Sequence, residues 1–149
     1  MCFRPVDLPH YMKFALNGRE FIIEPRNLTT VEILGQGAYG VVEKMKHDKT
    51  GKLFAVKRIH MDDSLNESQK RQMNNEIKVC IHSYRCPFMV VFYGAMIREG
   101  DVWICMEVMD TSFDKLLNMI SDLHTKQRLE HNGIPEPVLA KVIYSVLSF

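Results

Sequence analysis

Apolar and polar residues alternate at period two over Val41-Val42-Glu43-Lys44-Met45-Lys46, and a second apolar run, Leu53-Phe54-Ala55-Val56, leads into Lys57. Both stretches predict strands, and Asp48-Lys49-Thr50-Gly51 between them predicts a turn. Leu28 to Leu34 predicts an earlier strand that pairs with Val41 to His47, and Leu53 to Ile59 adds a third. Phe88 to Ile97 and Val102 to Met109, joined by Arg98-Glu99-Gly100-Asp101, predict a fourth and fifth strand as a hairpin. Ser64-Leu65-Asn66-Glu67 has the spacing of a capping box, and Met73, Ile77 and Cys80 or Ile81 follow at helical intervals, so a long helix is expected over residues 65–82. Glu76 falls on the buried face of that helix, three residues after Met73 and four before Cys80.

Further along, Thr111-Ser112-Phe113-Asp114 begins a helix with Phe113, Leu116, Leu117 and Ile120 on one face. Leu123 to Gly133 is a polar connection. Pro135-Glu136-Pro137 then opens a last helix with Val138, Leu139, Val142, Ile143, Val146 and Leu147 in phase. Residues 1–27 contain three prolines and apolar residues without a sustained period, which predicts an extended arm that at most packs Phe14 or Phe21 on the domain. The expected organisation is the arm 1–27, an α+β domain of five strands and one long helix over 28–109, and helices over 110–149.

The turn between the first two strands carries the chemistry. Gly35, Gly37 and Gly40 remove side chains, so backbone N–H groups can approach an anion closely. Lys57 adds a mobile positive charge. The glycines alone are also compatible with a hairpin that holds nothing. In a dinucleotide-binding unit the last glycine opens a helix and an acid follows about 20 residues on. Here a strand follows, and a base stands where that pattern has an acid. No Gly-Lys-Ser/Thr occurs, so a P-loop is excluded as well. The arrangement G-x-G-x-x-G-x-V, met in full from Gly35 to Val42, with a strand ending Ala55-Val56-Lys57, is that of protein kinases. Glu76 then has two readings, a solvated acid at the rim of the apolar stripe or a partner for Lys57.

Composition narrows the classes. The chain of 149 residues has 46% hydrophobic residues, enough for one domain with a real core. A net charge of +1, from 19 basic and 18 acidic residues, supplies no field for nucleic acid or an anionic membrane. The four cysteines and six histidines show neither C-x-x-C nor H-E-x-x-H, which points away from zinc and toward a reduced, cytoplasmic compartment. The longest apolar run, Phe88 to Ile97, is too short to span a bilayer.

The motifs GAYGVVEKM (Gly37 to Met45), AVKRI (Ala55 to Ile59), CPF (Cys86 to Phe88), FYGA (Phe92 to Ala95) and REGDVWICME (Arg98 to Glu107) together resemble the N-terminal part of a MAP kinase kinase of the stress-activated branch. The resemblance runs from about Leu28 to the end. It implies a protein-kinase small lobe, a five-stranded antiparallel sheet plus one long helix, followed by the first helices of the large lobe. It assigns Leu34, Gly35, Gln36, Gly37, Ala38, Tyr39, Gly40, Val41 and Val42 to the lid over ATP. Lys57 and Glu76 become the catalytic ion pair that sets the lysine on the α and β phosphates. Ala55 covers the adenine, Met106 stands behind it, and the backbone of Glu107 to Met109 reads the purine edge. Ser112 and Asp114 fall near the ribose and phosphate edge, although a helix start explains cap residues without a ligand. Lys13-Phe14-Ala15-Leu16 is a trace of the family's docking motif, without its basic cluster.

Neither His-Arg-Asp nor Asp-Phe-Gly occurs in the chain. Kinase chemistry takes its base and its Mg²⁺ ligands from those strings, so the resemblance implies Mg²⁺ only in a complete kinase. By the same resemblance the partners are ATP, a MAP kinase substrate and an upstream MAP kinase kinase kinase. Two functions follow as expectations: the ATP-binding part of a dual-specificity MAP kinase kinase, truncated before its catalytic loop, or a non-catalytic small-lobe module that binds nucleotide or partners.

Overall fold

Among the described residues seven strands form two sheets. The computed structural model describes residues 8–37, 40–61, 66–82, 86–127 and 134–147. The larger sheet contains β3 (Leu28–Gly37), β4 (Gly40–His47), β5 (Leu53–His60), β6 (Phe92–Arg98) and β7 (Asp101–Met106), ordered β3-β4-β5-β7-β6 with every pairing antiparallel. This is the expected five-stranded sheet. Its last strand ends at Met106 rather than Met109, and the fourth begins at Phe92 rather than Phe88.

Period-two alternation gives the sheet two apolar sides. On one side Ile59, Ala95, Val102 and Ile104 pack with Ile77 of α1 (Glu67–His82). On the other, Met45, Phe54, Val56, Met96, Trp103 and Cys105 pack with Met12, Phe14 and Ile23. Burial pushes the Cys105 thiol up to about 12, so it serves as a small core residue.

The second apolar side is covered by the segment expected to be an extended arm. There β1 (Met12–Leu16) and β2 (Arg19–Ile23) form an antiparallel hairpin. Asn17 and Gly18, with φ of 51° and 74°, make its two-residue turn. Both angles lie in the left-handed region, where Asn and Gly are the least strained residues, and Asn-Gly between alternating apolar residues is a hairpin signal. Phe14 stacks on Phe21 and meets Phe54 and His47 edge-on. Without the hairpin, Phe54 and Val56 would face water.

His47 is buried beneath these rings, with Nδ1 2.9 Å from the Thr50 hydroxyl. Burial lowers its pKa below the ordinary 6.5, with Asp48 opposing and Lys49 reinforcing the shift. The unfolded chain therefore binds the His47 proton at higher pH than the folded one. The His47 contribution is present in full above about pH 6.5 and lost as pH falls through the lowered folded value. Urea unfolding between pH 5 and 8 is expected to show stability rising with pH, and His47→Asn to flatten that slope. Parallel curves for the two proteins would refute this.

The N-cap of α1 is not the Ser64/Glu67 box expected, and Ser64 lies outside the described residues. Asn66 Oδ1 accepts from the Gln69 N–H at 2.9 Å, and Gln69 Oε1 accepts from the Asn66 N–H at 3.0 Å. That is a capping box two residues later, with Asn and Gln in the same roles.

The chain divides into two compact units, Met1–Val108 and Met109–Phe149. In the second, Ser112 caps α2 (Phe113–Gln127), its hydroxyl accepting from the Lys115 N–H at 3.2 Å. The last helix, α3 (Glu136–Leu147), buries none of its residues. No helix among the described residues is long and apolar enough to cross a membrane.

Candidate functional site

Cross-strand register assembles the site on the helix side of the sheet. One row runs Gly35, Val42, Lys57, Ile104, Ala95, and the next runs Glu32, Lys44, Ala55, Met106, Phe92. Because β5 alternates, Ala55, Lys57 and Ile59 share this side. The docking of Ile77 on the sheet fixes the rotation of α1, which brings its neighbour Glu76 to the lysine. Lys57 Nζ donates to Glu76 Oε2 at 2.5 Å, with side chains 29% and 33% exposed. Of the two readings of Glu76, the structure selects the pair. One turn on, burial pushes the Cys80 thiol up, while Lys57 and Glu76 act on it in opposite directions.

The three glycines of the turn differ in what requires them. A Cβ on Gly40, where φ is +150°, would lie 1.8 Å from the Arg58 carbonyl oxygen. The chain itself therefore excludes any side chain there. A Cβ on Gly35 or Gly37 would meet nothing within 4 Å, so protein packing does not demand glycine at either position. A bare backbone with open space beside it suits an anion approaching the N–H groups. Gly35 pairs with Val42, Gln36 with Val41 and Gly37 with Gly40, so β3 runs past Leu34 to the glycines, with irregular register on either side of Ile33. Leu34 is half-buried. Ala38 and Tyr39 lie outside the described residues.

Val42 and Ala55 lie on the side that carries Lys57, and Met106 is paired with Ala55. An adenine ring needs an apolar cover of this kind. Beyond the strand the Glu107 N–H donates to the Val91 carbonyl at 2.9 Å, and its Oε1 accepts from the Val91 N–H at 2.6 Å. The Glu107 N–H is therefore already engaged within the protein. This clip was missed from sequence, where nothing marks Val91 as its partner. Met109, Ser112 and Asp114 belong to the second unit, where Met109 is exposed, Ser112 caps α2 and Asp114 stands in its first turn.

The residues present thus fit the phosphates and base of a nucleotide. No group of three or more His, Cys, Asp or Glu gathers among the described residues.

An antiparallel sheet of five strands with a glycine turn at one end, and a strand lysine ion-paired to a glutamate on the helix beneath, defines the small lobe of a protein kinase. Residues 28–148 match the protein kinase domain family, and the chain belongs to it. The helices after Val108 are the start of the large lobe. The chain is 47% identical over 136 residues to the dual specificity mitogen-activated protein kinase kinase sek-1 of Caenorhabditis elegans, covering 91% of this chain and 38% of that relative. It is 38% identical over 109 residues to the MAP kinase kinase mkk-4 of the same organism, 73% of this chain and 30% of the relative. With the dual specificity mitogen-activated protein kinase kinase hemipterous of Drosophila melanogaster it shares 32% identity over 136 residues, 91% of this chain and 10% of the relative. Within the protein kinases it is a member of the MAP kinase kinase family.

Proposed function

We propose that this chain is the ATP-binding part of a dual-specificity MAP kinase kinase that phosphorylates threonine and tyrosine of a MAP kinase in a stress-signalling cascade. The observation that carries the reading is the 2.5 Å Lys57–Glu76 pair, in register with Val42 and Gly35 on one side of the sheet. In this role Glu76 holds the ammonium group, and Lys57 presents it to the α- and β-phosphate oxygens. Backbone N–H groups near Gly35 and Gly37 supply further donors, while Val42, Ala55 and Met106 exclude water from the base. Mg²⁺, when bound to a complete kinase, offsets the phosphate charge. The protein acts in the cytoplasm, downstream of a MAP kinase kinase kinase, without nucleic acid or membrane as a partner.

The 149-residue chain carries no catalytic-loop aspartate and no Asp-Phe-Gly. It is therefore expected to bind a non-hydrolysable ATP analogue in isothermal titration while giving no phosphate transfer to a MAP kinase above a blank. A longer chain with those motifs should transfer phosphate to both residues of the MAP kinase activation loop. Failure of the 149-residue chain to bind the analogue, or transfer by that chain alone, would overturn the reading.

A further inference from the structure

On the side of the sheet opposite Lys57, a row of paired residues runs Gln36, Val41, Arg58, Trp103, Met96. The Arg58 guanidinium carbon lies 5.3 Å from the centre of the Trp103 ring, and Arg58 Nε lies 2.7 Å from Glu43 Oε2. Glu43 is a charged residue only 7% exposed, and its other carboxylate oxygen accepts from the Thr30 hydroxyl at 3.2 Å. Thr30, Glu43, Arg58 and Trp103 stand on β3, β4, β5 and β7, so one chain of side chains crosses four strands. The Arg58 backbone reaches the same hairpin a second time, because its carbonyl oxygen is the atom that excludes a Cβ from Gly40.

We propose that Arg58 is a positioning residue that holds the glycine hairpin in register with Lys57, acting from the face opposite the nucleotide site. The consequence for nucleotide rests on the function proposed above, whereas the clamp rests on this geometry alone. A carboxylate as buried as Glu43 requires its cation, and removing one partner of such a pair destabilises its surroundings far more than the intact pair stabilises them. Here the surroundings are β4, whose Val42 is paired with Lys57 and whose Gly40 is paired with Gly37. Loss of the Arg58 charge frees β4 to shift toward water, and with it Gly35 and Gly37. The trailing part of the sheet, β5 to β7 with α1, keeps its own core.

The test is amide hydrogen exchange on Arg58→Met, which keeps an apolar stem over Trp103 and removes the charge. Exchange at Gln36, Gly37, Gly40 and Val41 is expected to accelerate about tenfold or more, with Ile77 and Ile104 changing little. Affinity for a non-hydrolysable ATP analogue should fall about fivefold or more in parallel, and Arg58→Lys should recover most of both. Should Arg58→Met fold poorly, Glu43→Gln removes the other charge, keeps an acceptor for Thr30 and should accelerate the same amides. Unchanged exchange at the hairpin, or equal acceleration over the whole sheet, would overturn the proposal. Selective acceleration in a protein whose wild type binds no analogue would uphold the clamp and refute the nucleotide-binding reading.

Discussion

Lys57→Met is expected to weaken binding of a non-hydrolysable ATP analogue by about tenfold or more, and Glu76→Gln by a few-fold at most. In the proposed function the lysine supplies a charge-assisted hydrogen bond to phosphate, an interaction of about 1.5–3 kcal/mol, and the glutamate acts on nucleotide only through the lysine. With about a third of each side chain exposed, the pair is partly screened, and ion pairs open to water contribute roughly 0–1 kcal/mol. Isothermal titration on the wild type and both variants, each with unchanged circular dichroism, reads the difference. Equal losses would show that Glu76 orders the whole site, and equal affinities would remove Lys57 from it.

Phe14→Ala is expected to lower the unfolding free energy by about 3–5 kcal/mol, the usual cost of emptying a core phenylalanine site. Phe14 is 6% exposed and touches the rings of Phe21, His47 and Phe54. The loss combines its own burial with the cavity left above Phe54. Since whole domains are stable by only about 5–15 kcal/mol, the variant should melt at least about 10 °C lower. Phe113→Ala, at a side chain 40% exposed, should shift melting far less. Equal shifts would mean that the hairpin does not belong to the core.

The strands of the large sheet were legible because each is a short run with its own period, bounded by turn residues. The helix was legible for the same reason, but its cap was not. Ser64-x-x-Glu67 and Asn66-x-x-Gln69 have one spacing and offer comparable caps, and only the packed helix start distinguishes them. The hairpin Met12–Ile23 was missed although Asn17-Gly18 announced it. Five-residue strands are too short for a sustained period, so the turn was the sole strong signal, and prolines on either side argued for an arm.

Sequence by itself determined that a glycine turn joins two strands, that a lysine lies on the third and that an acid lies on the apolar face of the following helix. Each of these is local, set by side-chain chemistry within a few residues. Only the tertiary structure decided that Glu76 meets Lys57, that Glu107 clips Val91, and that Gly40 is demanded by the Arg58 carbonyl while Gly35 and Gly37 are not. Those outcomes depend on strand register and on the rotation of α1, both fixed by which apolar side chains interlock across the whole sheet.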